Sequence, residues 1–307
     1  MTLVFALTVY DNKLIAGGAF TTAGWAMADR IAAWNGSYWS PLGSGMNSYV
    51  QALTVYGNKV IAGGGFTTAG GVSANYIAAW DGSSWSALGS GMNGDYPYVF
   101  ALTVYDNKLI AGGYFTTAGG VSANKIAAWD GSSWSPLGSG MNDLVSALTV
   151  YNNQLIAGGA FTTAGAVSAN NIAVWDGSSW SPLGSGTDAG VYALTVYNGQ
   201  LIAGGGFITA GGKVSAFIGS WTKGTCSCSH HGDCTGDGTI NPADVIYLVN
   251  YVLRVTGPPP PSDPSCPATN RGDWNCDAIV NILDIVKMVN YVYRYPAPGP
   301  CDPCALK

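Results

Sequence analysis

The hydrophobic pattern divides the chain in two. Up to residue 221 the apolar runs are short, "ALTVY", "KLIAGG" and "IAAW", and each is broken by Asn, Asp, Gly or Ser. Short β-branched and aromatic runs between such breakers predict strands. Near the end the period changes. Val245, Leu248, Val249 and Val252 fall at i, i+3, i+4 and i+7, and Ile285, Met288, Val289 and Val292 repeat the stripe. These predict helices over 243–254 and 283–294.

The strand-rich part repeats itself. "ALTVY" begins at Ala6, Ala52, Ala101, Ala147 and Ala193, in steps of 46, 49, 46 and 46 residues, the long step arising from extra residues in "NGDYPYVF" (Asn93–Phe100). Each unit predicts four strands. "ALTVY" and "KLIAGGxF" flank a two-residue turn of D-N, G-N, N-N or N-G, as a type I′ hairpin requires. "IAAW" and "WSPLG" flank "DGSS", which places Trp80 opposite Trp85, Trp129 opposite Trp134 and Trp175 opposite Trp180. Such pairs are expected to wedge one sheet against the next. A sheet this small cannot bury both faces alone, so the units should stack, most simply around a ring.

The glycine doublets that end each second strand (Gly17-Gly18, Gly63-Gly64, Gly112-Gly113, Gly158-Gly159, Gly204-Gly205), the aromatic after them and the Trp that opens each fourth strand resemble the kelch-type propeller repeat. The segment "GGxFTTAGGVSANxIAxWD" is similar to repeats of secreted surface propellers. The resemblance implies a mainly β fold, a β-propeller of about five four-stranded blades over residues 1–222. The last blade is expected to be incomplete, because the fifth unit leaves the pattern after "AFIGSWTKG". Its outer strand then comes from elsewhere, or the blade stays three-stranded beneath the C-terminal domain.

Charge narrows the function. Charged residues make up 9% of the chain and the net charge is −5, which argues against a nucleic-acid partner. All 17 acidic residues are Asp, and residues 1–224 contain no His, Cys or Glu. The repeated Asp81, Asp130 and Asp176 occupy DGSS turns, where Asp is expected for backbone reasons. The repeats are therefore read as non-enzymatic. The units differ most between the fourth strand and the next first strand. There Tyr49, Tyr96, Tyr98, Phe100 and Tyr192 are expected to form a rim that binds glycan or a protein partner, or simply covers the inner strands. Asn35, in "NGS", is a glycosylation candidate. Low charge also leaves little repulsion between copies, which favours self-association.

Two Asp-rich loops precede the predicted helices. Counted from Asp233, oxygen donors fall at Asp233, Thr235, Asp237, the Thr239 carbonyl, Asn241 and Asp244; counted from Asp273, at Asp273, Asn275, Asp277, the Ile279 carbonyl, Asn281 and Asp284. This spacing suits Ca2+, which takes six to eight hard oxygens. Ala278 stands where the second loop wants Gly, which predicts a weaker second site. The paired loop–helix units resemble the type I dockerin family. The resemblance implies a small α-helical domain with two EF-hand-like loops at 233–307, joined by a 223–232 linker, folded by two Ca2+ ions and docked onto a cohesin-like domain.

All seven cysteines, Cys226, Cys228, Cys234, Cys266, Cys276, Cys301 and Cys304, lie after residue 225, and only the last two share C-x-x-C spacing. Disulfides in an oxidising exterior are the preferred reading. The dockerin-like two-fold would bring Cys226 and Cys228 to Cys301 and Cys304 as a clasp, and zinc held by His230, His231 and nearby cysteines is the competing use. No segment is apolar enough to span a bilayer, and the start carries no export signal, so a mature form or a fragment is expected. The sequence thus predicts an extracellular or cell-surface, non-enzymatic structural or interaction protein. Its platform would be attached through the calcium module to a cohesin-like domain or to neighbouring copies, and would self-assemble into a fibre or array. A carbohydrate-binding module on a cohesin-type scaffold is the alternative.

Overall fold

A computed structural model describes residues 3–222 and residue 249. Every element in residues 3–222 is a β-strand. In units 1 to 4 the strands form antiparallel sheets in the order first, second, third, fourth: Val4–Tyr10, Lys13–Gly18, Ile31–Trp34 and Trp39–Pro41 in unit 1, with the same order in the next three. Unit 5 has three strands, Val191–Tyr197, Gln200–Gly205 and Ile218–Thr222.

Local chemistry fixes each hairpin. Both residues of the first turn take positive φ in all five units, for example Asp11 at 49° and Asn12 at 55°. That geometry matches the right-handed twist of the flanking strands and is tolerated best by Asn, Asp and Gly. In the second hairpin Trp34 faces Trp39, Trp80 faces Trp85, Trp129 faces Trp134 and Trp175 faces Trp180. The paired rings lie 5.2–5.5 Å apart between centroids. Between the second and third strands, "TTAGGVS" folds back as a two-stranded ribbon, such as Thr68–Ala69 with Val72–Ser73. Met46, Met141 and Thr187 bridge from one unit to the ribbon of the next, at Ala69, Ala164 and Ala210.

The core lies between sheets. Phe66, Phe115, Phe161 and Phe207 are completely or almost completely buried, as are Ile61, Ile110 and Ile156. The glycine doublet explains how successive sheets approach. A Cβ on Gly17 would lie 2.5 Å from Val50 Cγ1 and 3.2 Å from Leu53 Cδ1 of the following unit; Gly63, Gly112 and Gly158 meet Val99, Val145 and Val191 in the same way. The second glycine serves its own sheet, since a Cβ on Gly18 or Gly64 would strike the carbonyl of Leu3 or Tyr49. Those carbonyls accept hydrogen bonds from the N–H of Ala19 and Gly65, at 2.8 and 3.0 Å. Tryptophan and tyrosine tie the units together. Trp85, Trp134 and Trp180 donate Nε1–H to the carbonyls of Leu42, Leu88 and Leu137 of the preceding unit, each at 2.9 Å. Tyr10, Tyr56 and Tyr151 donate their hydroxyls to the turn carbonyls of Asn58, Asn107 and Gly199 in the following unit.

Two expectations need correction. The fold of residues 3–222 is all-β, in ten small sheets of two to four strands, and no α-helical dockerin-like domain is present among the described residues. Apart from Val249, the loops and helices expected at 233–307 lie outside the described residues. The expected kelch-like β-propeller is also replaced by a stack of small sheets, whose fifth unit lacks a fourth strand where its sequence leaves the pattern. Four sheets have four strands and the fifth has three among the described residues, and the outer faces of units 1 and 5 do not cover each other: Val4 and Leu7 are 54% and 58% exposed, and no described residue beyond its own unit stands over Gly204.

Candidate functional site

Every first strand carries a bulge at the same place. Pairing skips one residue between Val4 and Ala6, Val50 and Ala52, Val99 and Ala101, Val145 and Ala147, and Val191 and Ala193. The skipped residues are Phe5, Gln51, Phe100, Ser146 and Tyr192. A bulge leaves its extra residue out of the ladder and re-aims the side chain. Because the first strands pack one beside the next in chain order, the five bulges form a row across the stack.

The row is largely aromatic. Phe5 meets Tyr49 of the next unit edge-on, with centroids 6.4 Å apart. Tyr98 stacks on Phe100 at 5.3 Å with planes 14° apart, and the Tyr98 ring also lies against Gly65 of the preceding unit. Tyr49 is 46% exposed, Tyr192 65% and Tyr96 79%. Gln51 and Ser146 are the polar members, and Ser146 donates its hydroxyl to the Val191 carbonyl of unit 5 at 2.6 Å. The structure therefore brings Tyr49, Tyr98, Phe100 and Tyr192 to one line of bulges, with Tyr96 on the long loop of unit 3. Phe5, Gln51 and Ser146 escaped the sequence reading. The signal for them was the residue directly before each "ALTVY".

The turn aspartates have a different role. Asp81 Oδ1 accepts from the N–H groups of Ser83 and Ser84 and from the Ser83 hydroxyl, all at 2.8 Å, and Oδ2 accepts from the Ser84 hydroxyl. Asp130 and Asp176 repeat the arrangement. The serine N–H groups, then the hydroxyls, hold all three carboxyls well below the usual carboxylate range. Asp188 accepts from Ile208 N–H and Thr209 N–H, the part that Asn47 and Asn142 play in other units, and its carboxyl is held low mainly by Thr209 N–H. Asn35 occupies the unit 1 turn, exposed, with Oδ1 accepting from Ser37 and Tyr38 N–H groups.

In unit 5 the ribbon and third strand border an open groove of ≈ 400 Å3 lined by Gly211, Lys213, Val214, Ser215 and Trp221. It lies where the other units seat a fourth-strand tryptophan over the equivalent glycine, as Trp85 sits over Gly70.

The calcium expectation is corrected. Among the described residues no group of three or more His, Cys, Asp or Glu side chains is placed to hold a metal ion. The ligands expected for Ca2+ (Asp233, Thr235, Asp237, Thr239, Asn241, Asp244, Asp273, Asn275, Asp277, Ile279, Asn281 and Asp284) lie outside the described residues. So do the seven cysteines, Cys226 to Cys304, and the described fold contains no disulfide. No helix of the described residues is long and apolar enough to cross a membrane.

The comparisons with known proteins bear on part of the chain. Residues 106–127 match a family described as a β-propeller domain of unknown function, DUF5122. None of the curated proteins matches the chain. Among solved structures, the computationally designed protein Ika8 is 21% identical over 72% of this chain and 71% of its own, with a TM-score of 0.41. The designed protein Ika4 is 20% identical over 60% of this chain and 98% of its own, at 0.38. The extracellular domain of the hybrid two-component system BT4673 from B. thetaiotaomicron is 10% identical over 72% of this chain and 27% of its own, at 0.47. The expected assembly through a calcium-dependent dockerin-like module gives way to an all-β repeat domain with a short match to a propeller family of unknown function.

Proposed function

We propose that the repeat stack is a non-enzymatic recognition module that works outside the cell and binds carbohydrate along the row of bulged residues. The carrying observation is the row itself. Five bulges in one register set Phe5, Phe100 and Tyr192 out of their sheets, with Tyr49 and Tyr98 beside them. Aromatic faces offer apolar area with little side-chain entropy to lose, which suits the flat apolar face of a sugar ring. The row and the loops beside it carry Gln51, Ser146, Asp95, Asp143 and Asp188, which offer hydrogen-bonding groups for sugar hydroxyls. A non-catalytic role is supported by the carboxylates of Asp81, Asp130 and Asp176, each committed to closing its own turn. The confinement of all cysteines to residues 226–304 supports an oxidising, extracellular setting.

The test is a glycan and polysaccharide panel probed with the full chain and with a Phe5→Ala/Phe100→Ala/Tyr192→Ala variant. Binding that falls at least about tenfold in the variant, the loss expected when stacking rings are removed, supports the reading. A blank panel, or equal binding by the variant, overturns it.

A further inference from the structure

The four internal boundaries are built alike. At each, a valine and a leucine of the following first strand close on the leading glycine of the doublet: Val50 and Leu53 on Gly17, Val99 and Leu102 on Gly63, Val145 and Leu148 on Gly112, Val191 and Leu194 on Gly158. At three of them a tyrosine hydroxyl of the preceding unit donates to the following hairpin turn. Each boundary therefore has a knob side, made of valine, leucine and turn carbonyl, and a socket side, made of glycine and tyrosine.

The two ends of the stack carry one side each. Unit 1 presents the knobs: Val4 and Leu7 are 54% and 58% exposed, whereas Val50, Val99, Val145 and Val191 are fully buried. Its turn carbonyl at Asn12 matches the acceptors at Asn58 and Asn107. Unit 5 presents the socket. Gly204 has only Phe217 and Ala193 of its own unit near it, Ile202 is half-buried where Ile61, Ile110 and Ile156 are buried, and Tyr197 is exposed.

We infer that these ends are the two halves of one interface, and that a second copy of this chain docks head to tail, its Val4–Tyr10 strand on the Gly204 face of the first. The occupant follows from continuity with the internal boundaries, since the first strand of unit 1 is the sequence that already fills this socket within the chain. The inference does not depend on the carbohydrate reading. One internal contact is missing at the joint. Unit 5 leaves the pattern before "WSPLG", so the leucine carbonyl that receives a tryptophan Nε1–H at three internal boundaries has no counterpart there. The joint is therefore weaker than an internal boundary, and reversible. Because the contact is heterologous, every pair leaves one knob end and one socket end open.

Light scattering and sedimentation of the full chain test this over about a thousandfold concentration range up to about 1 mM, which spans the dissociation of a modest interface. The mass should rise with concentration. Leu7→Asp blocks the knob end and Gly204→Trp the socket end, at positions that are open in the single chain, and circular dichroism checks that each variant folds. Each alone should stay monomeric, and an equimolar mixture should form a dimer and nothing larger, since it contains one usable pair of ends. A wild-type chain monomeric throughout overturns the inference, whether the ends are bare or covered by other residues of the same chain. So does self-association of either variant, which would mean another surface or a symmetric contact, and so does a mixture that stays monomeric.

Discussion

Gly112 and Val145 sit in van der Waals contact across a unit boundary: a Cβ on Gly112 would fall 2.5 Å from Val145 Cγ1, with Leu148 Cδ1 at 3.2 Å. Both residues are buried. Gly112→Ala therefore forces two sheets apart or a side chain off its rotamer, at a cost of about 1–3 kcal/mol. Gly204→Ala makes the same chemical change where the nearest atoms are 3.8 and 4.0 Å away, and should leave the stability of the dilute chain nearly unaltered. Urea unfolding of both variants checks this. Equal losses would mean that the glycines are required by their own strands and not by the neighbouring unit.

The tryptophan ties are a separate element of the same boundary. Trp85 is buried and its Nε1–H donates to the Leu42 carbonyl at 2.9 Å. Phenylalanine keeps most of the ring and drops the donor, leaving that carbonyl without its partner. Trp85→Phe should cost about 1–3 kcal/mol, the penalty for an unsatisfied buried polar group. Trp39 stands in the first of the described units and is only half-buried, so Trp39→Phe should cost distinctly less. Thermal unfolding of the two variants side by side decides it, and a larger loss at Trp39 would refute the account.

Much of this stack was legible in the sequence because its elements are set by local chemistry. The D-N and N-G pairs announce positive φ, and "WDGSSW" spaces two tryptophans so that only one turn register pairs them. The ribbon in "TTAGGVS" was not legible: strands of two residues, such as Thr68–Ala69, are too short to show a period. The doublet glycines could be seen, but not their separate tasks, because what fills Gly17 is Val50 of the next unit. The candidate site was half legible. Tyr49, Tyr98, Phe100 and Tyr192 stood out by varying between units, whereas Phe5 became part of the row only through a bulge that pairing defines and sequence does not. The calcium loops carry the strongest local pattern in the chain, yet they fall outside the described residues, so that pattern contributes nothing to the fold described.

The turn carboxylates give the stack a pH dependence. Asp81, Asp130 and Asp176 have folded-state pKa values depressed mainly by serine N–H donors. A depressed carboxyl contributes stability that is complete above its unfolded pKa, about 3.9, and is lost as pH falls below that value towards the folded pKa. Asparagine retains the accepting oxygen without the charge. An Asp81→Asn/Asp130→Asn/Asp176→Asn variant should unfold at lower urea than the wild type near neutral pH, and the gap should narrow steadily below about pH 4. Parallel urea midpoints across that range would show that the carboxylate charge adds nothing to the turns.

Backbone strain supplies a stabilising substitution. The residue before the third strand takes positive φ in every unit: Arg30 at 64°, Tyr76 at 69°, Lys125 at 64°, Asn171 at 64° and Phe217 at 65°. The conformation is held on both sides, since Phe217 N–H donates to the Phe207 carbonyl at 2.7 Å and the Phe217 carbonyl accepts from Gly205 N–H at 3.0 Å. A left-handed backbone costs an ordinary L-residue about 1–2 kcal/mol, and asparagine tolerates it best after glycine. Phe217 is 65% exposed, so its ring gives up little packing when removed. Phe217→Asn should raise the melting temperature by about 2–4 °C, the shift expected for about 1 kcal/mol in a domain of this size. The reverse change in unit 4, Asn171→Phe, should lower it by more, because Asn171 also donates Nδ2–H to the Thr187 carbonyl at 2.8 Å. If Phe217→Asn destabilised the chain, the ring would have to be packed against something that matters more than the strain it imposes.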